Sequence, residues 1–135
     1  MRYGRTREAA ERAQERRGRE DTAARLRTLV PTISRLKLEL SETASKGGGT
    51  IVRYAKLIVV DRAPALFEIR CGDKSCDGGG HDLTRPIMVA LREGLTDFSG
   101  EDACSGYQRD RPCERCLRYR VLATYAAPVP PGQTS

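Results

Sequence analysis

Between residues 33 and 40 the chain alternates, with Leu36, Leu38 and Leu40 on one side and Arg35, Lys37 and Glu39 on the other. A period of two is the mark of a strand with one buried face. Val52-Arg-Tyr-Ala-Lys-Leu-Ile-Val-Val60 predicts a second strand after the flexible link Ser45-Lys-Gly-Gly-Gly-Thr50, and residues 65–71 predict a third after the turn Asp61-Arg-Ala-Pro64. Three consecutive strands of this kind predict an antiparallel meander. The period then lengthens. Ile87, Met88 and Leu91 share one face of a short helix that Thr84 caps, Pro86 enters and Gly94 stops. Residues 96–112 carry no regular pattern. Leu117, Tyr119, Val121, Ala123 and Tyr125 alternate with Arg118, Arg120 and Thr124 and predict a fourth strand.

The start of the chain is different. Residues 5–30 are rich in Arg, Glu and Ala and predict one or two helices, with Gly18 as a weak break and Asp21 or Thr22 as an N-cap. Only Leu26, Leu29 and Val30 are strongly apolar there, so most of the segment has helix propensity and little to bury. The division that follows is a charged helical arm at 1–30, a domain at 31–127 and a Pro-rich flexible tail at 128–135. The fold class is α+β, a small antiparallel sheet with a short helix. Its core is thin: 39% of residues are hydrophobic, there is no Trp, and Phe67 and Phe98 supply all the phenyl rings. A core of that size benefits from a covalent or metal staple.

Five cysteines, Cys71, Cys76, Cys104, Cys113 and Cys116, are available for it. The charged opening Met-Arg-Tyr-Gly-Arg-Thr-Arg lacks the apolar run of a secretory leader, which points to a reducing, cytoplasmic setting where clustered cysteines serve as metal ligands more often than as disulfides. Zinc takes four thiolate or imidazole ligands, often from local pairs two to four residues apart. Cys113-Glu-Arg-Cys116 is such a pair and Cys71-Gly-Asp-Lys-Ser-Cys76 is a looser one. The expected ligands of one structural Zn²⁺ are therefore Cys71, Cys76, Cys113 and Cys116, brought together by pairing of the third and fourth strands, with the helix inserted between the two knuckles. Cys104 is a substitute for Cys71 or Cys113, against a buried free thiol. His81 can complete a Cys₃His site, against an exposed loop or helix-entry residue. Four thiolates around Zn²⁺ carry a formal charge of −2, and Arg111, Arg115 and Arg118 stand near to balance it.

These two knuckles with their adjoining strands resemble the zinc-ribbon and zinc-finger group, over less than half of the chain. They depart from it in the C-x₄-C spacing, the intervening helix and the fifth cysteine. The resemblance implies a structural metal and binding of nucleic acid or protein, and no reaction. Pro112-Cys113-Glu-Arg-Cys116 also looks like half of a zinc nucleobase deaminase. That chemistry needs a Glu two residues after the upstream ligand, where Leu83 follows His81 and Asp73 follows Cys71. A catalytic reading is accordingly not expected, and no small-molecule substrate with it. A redox role for Cys113 and Cys116 survives as a zinc-release switch.

Charge bears on the partner. Of 24 basic residues 20 are Arg, and the net charge is +6. Residues 1–30 hold nine Arg against five acids. Nucleic-acid association would use Arg5, Arg7, Arg12, Arg16, Arg17 and Arg19 on the arm with Arg118 and Arg120 on a strand face, and Tyr54, Tyr107 and Tyr119 as stacking groups. A protein-interaction or regulatory subunit is slightly favoured, because Arg alternates with Glu along the arm and a dedicated nucleic-acid arm carries fewer acids. No apolar run is long enough for a membrane span.

Overall fold

Inward-pointing leucines build the sheet. In the computed structural model, which describes residues 2–127 with side chains from residue 10 onward, β1 (Ile33–Thr43) buries Ile33, Leu36, Leu38 and Leu40. The predicted tail at 128–135 lies outside the described residues. β1 folds back on β2 (Thr50–Ile58), with Leu36 opposite Ile58 and Leu40 opposite Tyr54. Its other edge pairs with β8 (Cys116–Tyr125), where Ala123, Val121 and Tyr119 face the same three leucines. β5 (Asp97–Ala103) closes the far side, so the antiparallel order is β2-β1-β8-β5.

One face of this sheet is covered. α3 (Thr84–Arg92) lays Ile87, Met88 and Leu91 into the core, joined by Phe67, Ile69 and Leu83 from the hairpin of β3 (Glu68–Arg70) and β4 (Gly80–Asp82). The helix ends as its sequence predicts: Gly94 takes φ +78°, its N–H bonds to Leu91 and the next N–H reaches back to Ala90. Its start differs. Leu83 holds the cap position, and Thr84 instead accepts the Phe67 N–H at 2.8 Å, tying helix to hairpin. A further pair of short strands, β6 (Tyr107–Gln108) and β7 (Arg111–Pro112), forms its own hairpin.

Three expectations need correction. The third strand does not extend the meander; β3 pairs with β4, outside the main sheet. Residues 97–103, read as irregular, are an edge strand of that sheet, because Phe98 reaches the core and the Tyr119 ring lies over Gly100, where a Cβ would meet its hydroxyl at 2.5 Å. The arm also ends earlier than residue 30. α1 (Arg2–Thr22) runs unbroken through Gly18, and Thr22 bonds back to the Gly18 carbonyl at 2.9 Å. α2 (Leu26–Leu29), however, sinks Leu26 fully into the core with Val30 behind it, and backbone bonds from Leu26 to Ala63 and from Ala65 to Ala24 fix it there. Arg19 ties α1 to the domain, its guanidinium holding Glu68 through two bonds of 2.8 Å. No helix among the described residues is long and apolar enough to cross a membrane.

Candidate metal centre

Four cysteine sulfurs gather beyond one end of the sheet, those of Cys71, Cys76, Cys104 and Cys113, all within 4.8 Å of one another. Each arrives from a different turn of chain. Cys71 leaves β3; Cys76 ends a tight turn in which its N–H bonds to the Asp73 carbonyl at 3.1 Å and Asp73 accepts both the N–H and hydroxyl of Ser75. Cys104 follows β5 and bonds to the Arg115 carbonyl at 2.9 Å, while Cys113 follows β7 and bonds to Gly106 at 2.8 Å. Reciprocal bonds between Asp77 and Tyr107, 2.7 and 3.1 Å, stitch the first loop to the second.

The fourth sulfur belongs to Cys104 and not to Cys116. The cause is strand parity. Leu117 opens the buried face of β8, so alternation places Cys116 on the opposite face with Arg118 and Arg120. Across the ladder Ala103 pairs with Cys116 and Asp102 with Leu117, which returns Cys104 to the inner side. Nor is the cluster assembled by pairing of the third and fourth strands; the hairpins and loops between them do it. His81 is buried, as a sequence reading of an exposed loop residue did not expect, and it is absent from the sulfur group. Its Nδ1 is 2.8 Å from Asp102 and its Nε2 is enclosed without a partner.

Close approach of the sulfurs requires two glycines. A Cβ at Gly79 would lie 2.2 Å from the Cys76 sulfur and 2.5 Å from that of Cys104; one at Gly106 would lie 2.5 Å from Cys76. Two acids support the same turns: Glu42, which the sequence reading missed, and Asp73, which it weighed only as a proton shuttle. Glu42 continues the inward row of Leu36, Leu38 and Leu40, is only 2% exposed, and accepts the Gly72 N–H at 2.9 Å. A charged residue at an inward position was the available signal. Asp73 joins the first knuckle to the second hairpin, receiving the Gln108 amide and lying 3.8 Å from the Arg115 guanidinium. Bonds from Ser75 lead the effects that hold its carboxyl below the usual range.

The sulfur spacing is compatible with a metal ion. The Cys76 and Cys104 sulfurs are 3.6 Å apart and those of Cys71 and Cys113 3.9 Å, too far for disulfides, and all are free thiols. Burial, with the neighbouring thiols, pushes Cys71 up to about 12 and raises Cys76 as well. At Cys104 burial opposes ionisation, but the Gly106 N–H and the surrounding thiols outweigh it and lower its pKa. Several thiolates cannot crowd together unless a positive ion compensates them. Donors to sulfur are in place: Gly106 N–H to Cys104 at 3.4 Å and the Gln108 amide to Cys113 at 3.7 Å.

The remaining candidates are scattered. Arg118 bonds to Glu101 at 2.8 Å, and Arg120 holds Asp97 at 2.7 Å and approaches Glu39 at 3.6 Å, so neither is a free cation or a balance for the cysteines. Arg19 is taken by Glu68. Arg12 and Arg17 are exposed and Arg16 is half-buried, while the side chains of Arg5 and Arg7 lie outside the described residues. Tyr119 is buried in the core, Tyr54 packs against it, and Tyr107 is exposed. In comparisons with known proteins, no family model matches the chain, and no curated protein or solved structure matches it either.

Proposed function

We propose that this chain is a non-catalytic module whose domain is held by one structural Zn²⁺ on Cys71, Cys76, Cys104 and Cys113, and that it acts through contacts with protein. The observation that carries the metal is the sulfur geometry. A tetrahedron of thiolates about 2.3 Å from zinc has edges of about 3.8 Å; two of the links here are 3.6 and 3.9 Å, and all lie within 4.8 Å. Four soft sulfur donors suit zinc over magnesium or calcium.

A structural role is supported by the completeness of the set. Four cysteines leave no position for the water that a catalytic zinc activates. Asp73, which stands two residues after Cys71, is engaged by Ser75 and Gln108 and has no free carboxylate to move a proton. Contact with protein is favoured over nucleic acid because Arg19, Arg118 and Arg120 already hold carboxylates, which removes three of the eight arginines a phosphate-binding surface would use.

Two measurements test the reading together. Metal analysis of the purified chain should return one zinc, and a chelator should release it and lower the domain's stability. Titration with a duplex oligonucleotide at about 50 mM salt should show no salt-sensitive complex. Steep salt-sensitive binding would transfer the protein to the nucleic-acid class while leaving the metal in place.

A further inference from the structure

β2 is an edge strand with a partner on one side only. It pairs with β1 through residues 50–58, and no strand among the described residues lies along its other edge. Natural edges of this length are normally shortened, bulged, covered, charged or interrupted by proline. This one has nine residues, no proline, an irregular register only at its start, where Ile51 is skipped, two cations, and side chains that are exposed at every position except Tyr54 and Ile58.

Two properties of this edge point to what pairs with it. The first is apolar exposure: of the eight large exposed hydrophobic residues described, three lie on this strand, Ile51, Val52 and Leu57, and Val59 follows it, with Leu57 79% exposed. The second is uncompensated charge. Arg53 and Lys56 are the only charged residues of β2; the register sets Ser41 opposite Arg53 and Leu38 opposite Lys56, neither cation is in an ion pair among the described residues, and Glu39, diagonal to Arg53, is drawn to Arg120. On the opposite edge Asp97 and Glu101 are paired with Arg120 and Arg118, and Asp102 is hydrogen-bonded to His81.

We propose that the free edge of β2 receives an extended segment of a partner protein, apolar with acidic residues, as a fifth strand of the sheet. Main-chain bonds supply the pairing, and side chains select the partner. Arg53 and Lys56 are three residues apart and so lie on opposite faces of the sheet, which calls for two acids an odd number of residues apart, set among β-branched residues that cover Ile51, Val52 and Leu57. A second copy of this strand fits poorly, since it brings two cations toward two cations.

This rests on the protein-contact reading above. The test uses the full, zinc-loaded, ¹⁵N-labelled chain and two synthetic eight-residue peptides of valine and threonine, one with two glutamates three positions apart and one with lysines in their place. The glutamate peptide should shift the amides of residues 50–58 and their neighbours on β1, and the lysine peptide should not. The double variant R53E/K56E, both at exposed positions, should keep its melting temperature, lose at least about tenfold in affinity for the glutamate peptide and gain the lysine peptide. Equal binding of the two peptides, shifts confined to other surfaces, no binding at all, or a dimer already occupying β2 in sedimentation would overturn the assignment. Any of these with one zinc retained leaves the metal reading intact, whereas salt-sensitive oligonucleotide binding overturns the protein-contact reading on which it rests.

Discussion

The sulfurs of Cys76 and Cys104 lie 3.6 Å apart across 28 residues of chain, and Gly79 is the residue that lets them meet. Everything between them, β4, α3 and the edge strand β5, is thereby closed into one loop. A metal at that junction staples the hairpins to β5 and β8 in a domain whose aromatic core is small.

Cys104→Ser should therefore remove the metal and lower the melting temperature sharply, whereas Cys116→Ser should retain one zinc per chain. Metal binding energy is folding energy in domains of this kind, so loss of one ligand is felt globally. Metal analysis and thermal melts of the two variants decide between the sulfurs; the reverse ranking would return Cys116 to the ligand set.

Gly79→Ala should weaken zinc by at least about tenfold, because its Cβ has no room beside two sulfurs. Gly49→Ala, where nothing lies within 4 Å and the backbone is ordinary, should change neither affinity nor stability measurably. Competition against a chromophoric chelator reads both. Equal affinities would show that the sulfurs can separate without loss of the site.

Strands β1 and β8 were legible because period-two leucines and valines leave no other face to bury. β5 was not, since Asp97, Gly100 and Asp102 have low strand propensity and the strand exists through its pairing with β8 and the cover of Tyr119. Three of the four clustered cysteines followed from local spacing. The fourth did not, because Cys113-x-x-Cys116 looks like a knuckle until the parity of β8 is known, and parity is a property of the sheet. Leu26 was misassigned to the arm for a related reason: a four-residue helix has no periodicity to read, and its burial depends on backbone bonds to residues 63 and 65.

Deleting residues 1–22 should leave the domain folded, because the side chains of α1 from residue 10 onward are mostly exposed and its ion pair with the domain, Arg19–Glu68, contributes little. Extending the deletion to residue 30 should cost more than about 2 kcal/mol, the lower end for removing one large buried side chain such as Leu26. Chemical denaturation of both truncations checks this. If the shorter deletion already unfolds the domain, the helix is structural.

The sign of the pH dependence should differ with and without metal. In the metal-free chain Cys71 keeps its proton up to about 12, against 9.0 ordinarily, so the unfolded state ionises first and stability falls as pH rises through that interval. With zinc bound the folded ligands are thiolates, the unfolded chain takes up protons below its thiol pKa, and stability rises with pH toward about 9. Denaturant midpoints from about pH 6 to 10, with and without chelator, should diverge as pH increases. Parallel curves would mean that the thiols do not bind the ion.

X-ray absorption at the zinc edge, on the chain as purified from zinc-supplemented cells, reads the metal and its ligands at once. One zinc per chain and a single shell of four sulfurs at about 2.3 Å are expected, unchanged in Cys116→Ser and in His81→Ala. A mixed shell with nitrogen or oxygen, or a metal-free chain that folds fully with its thiols reduced, would contradict a structural zinc on the four cysteines.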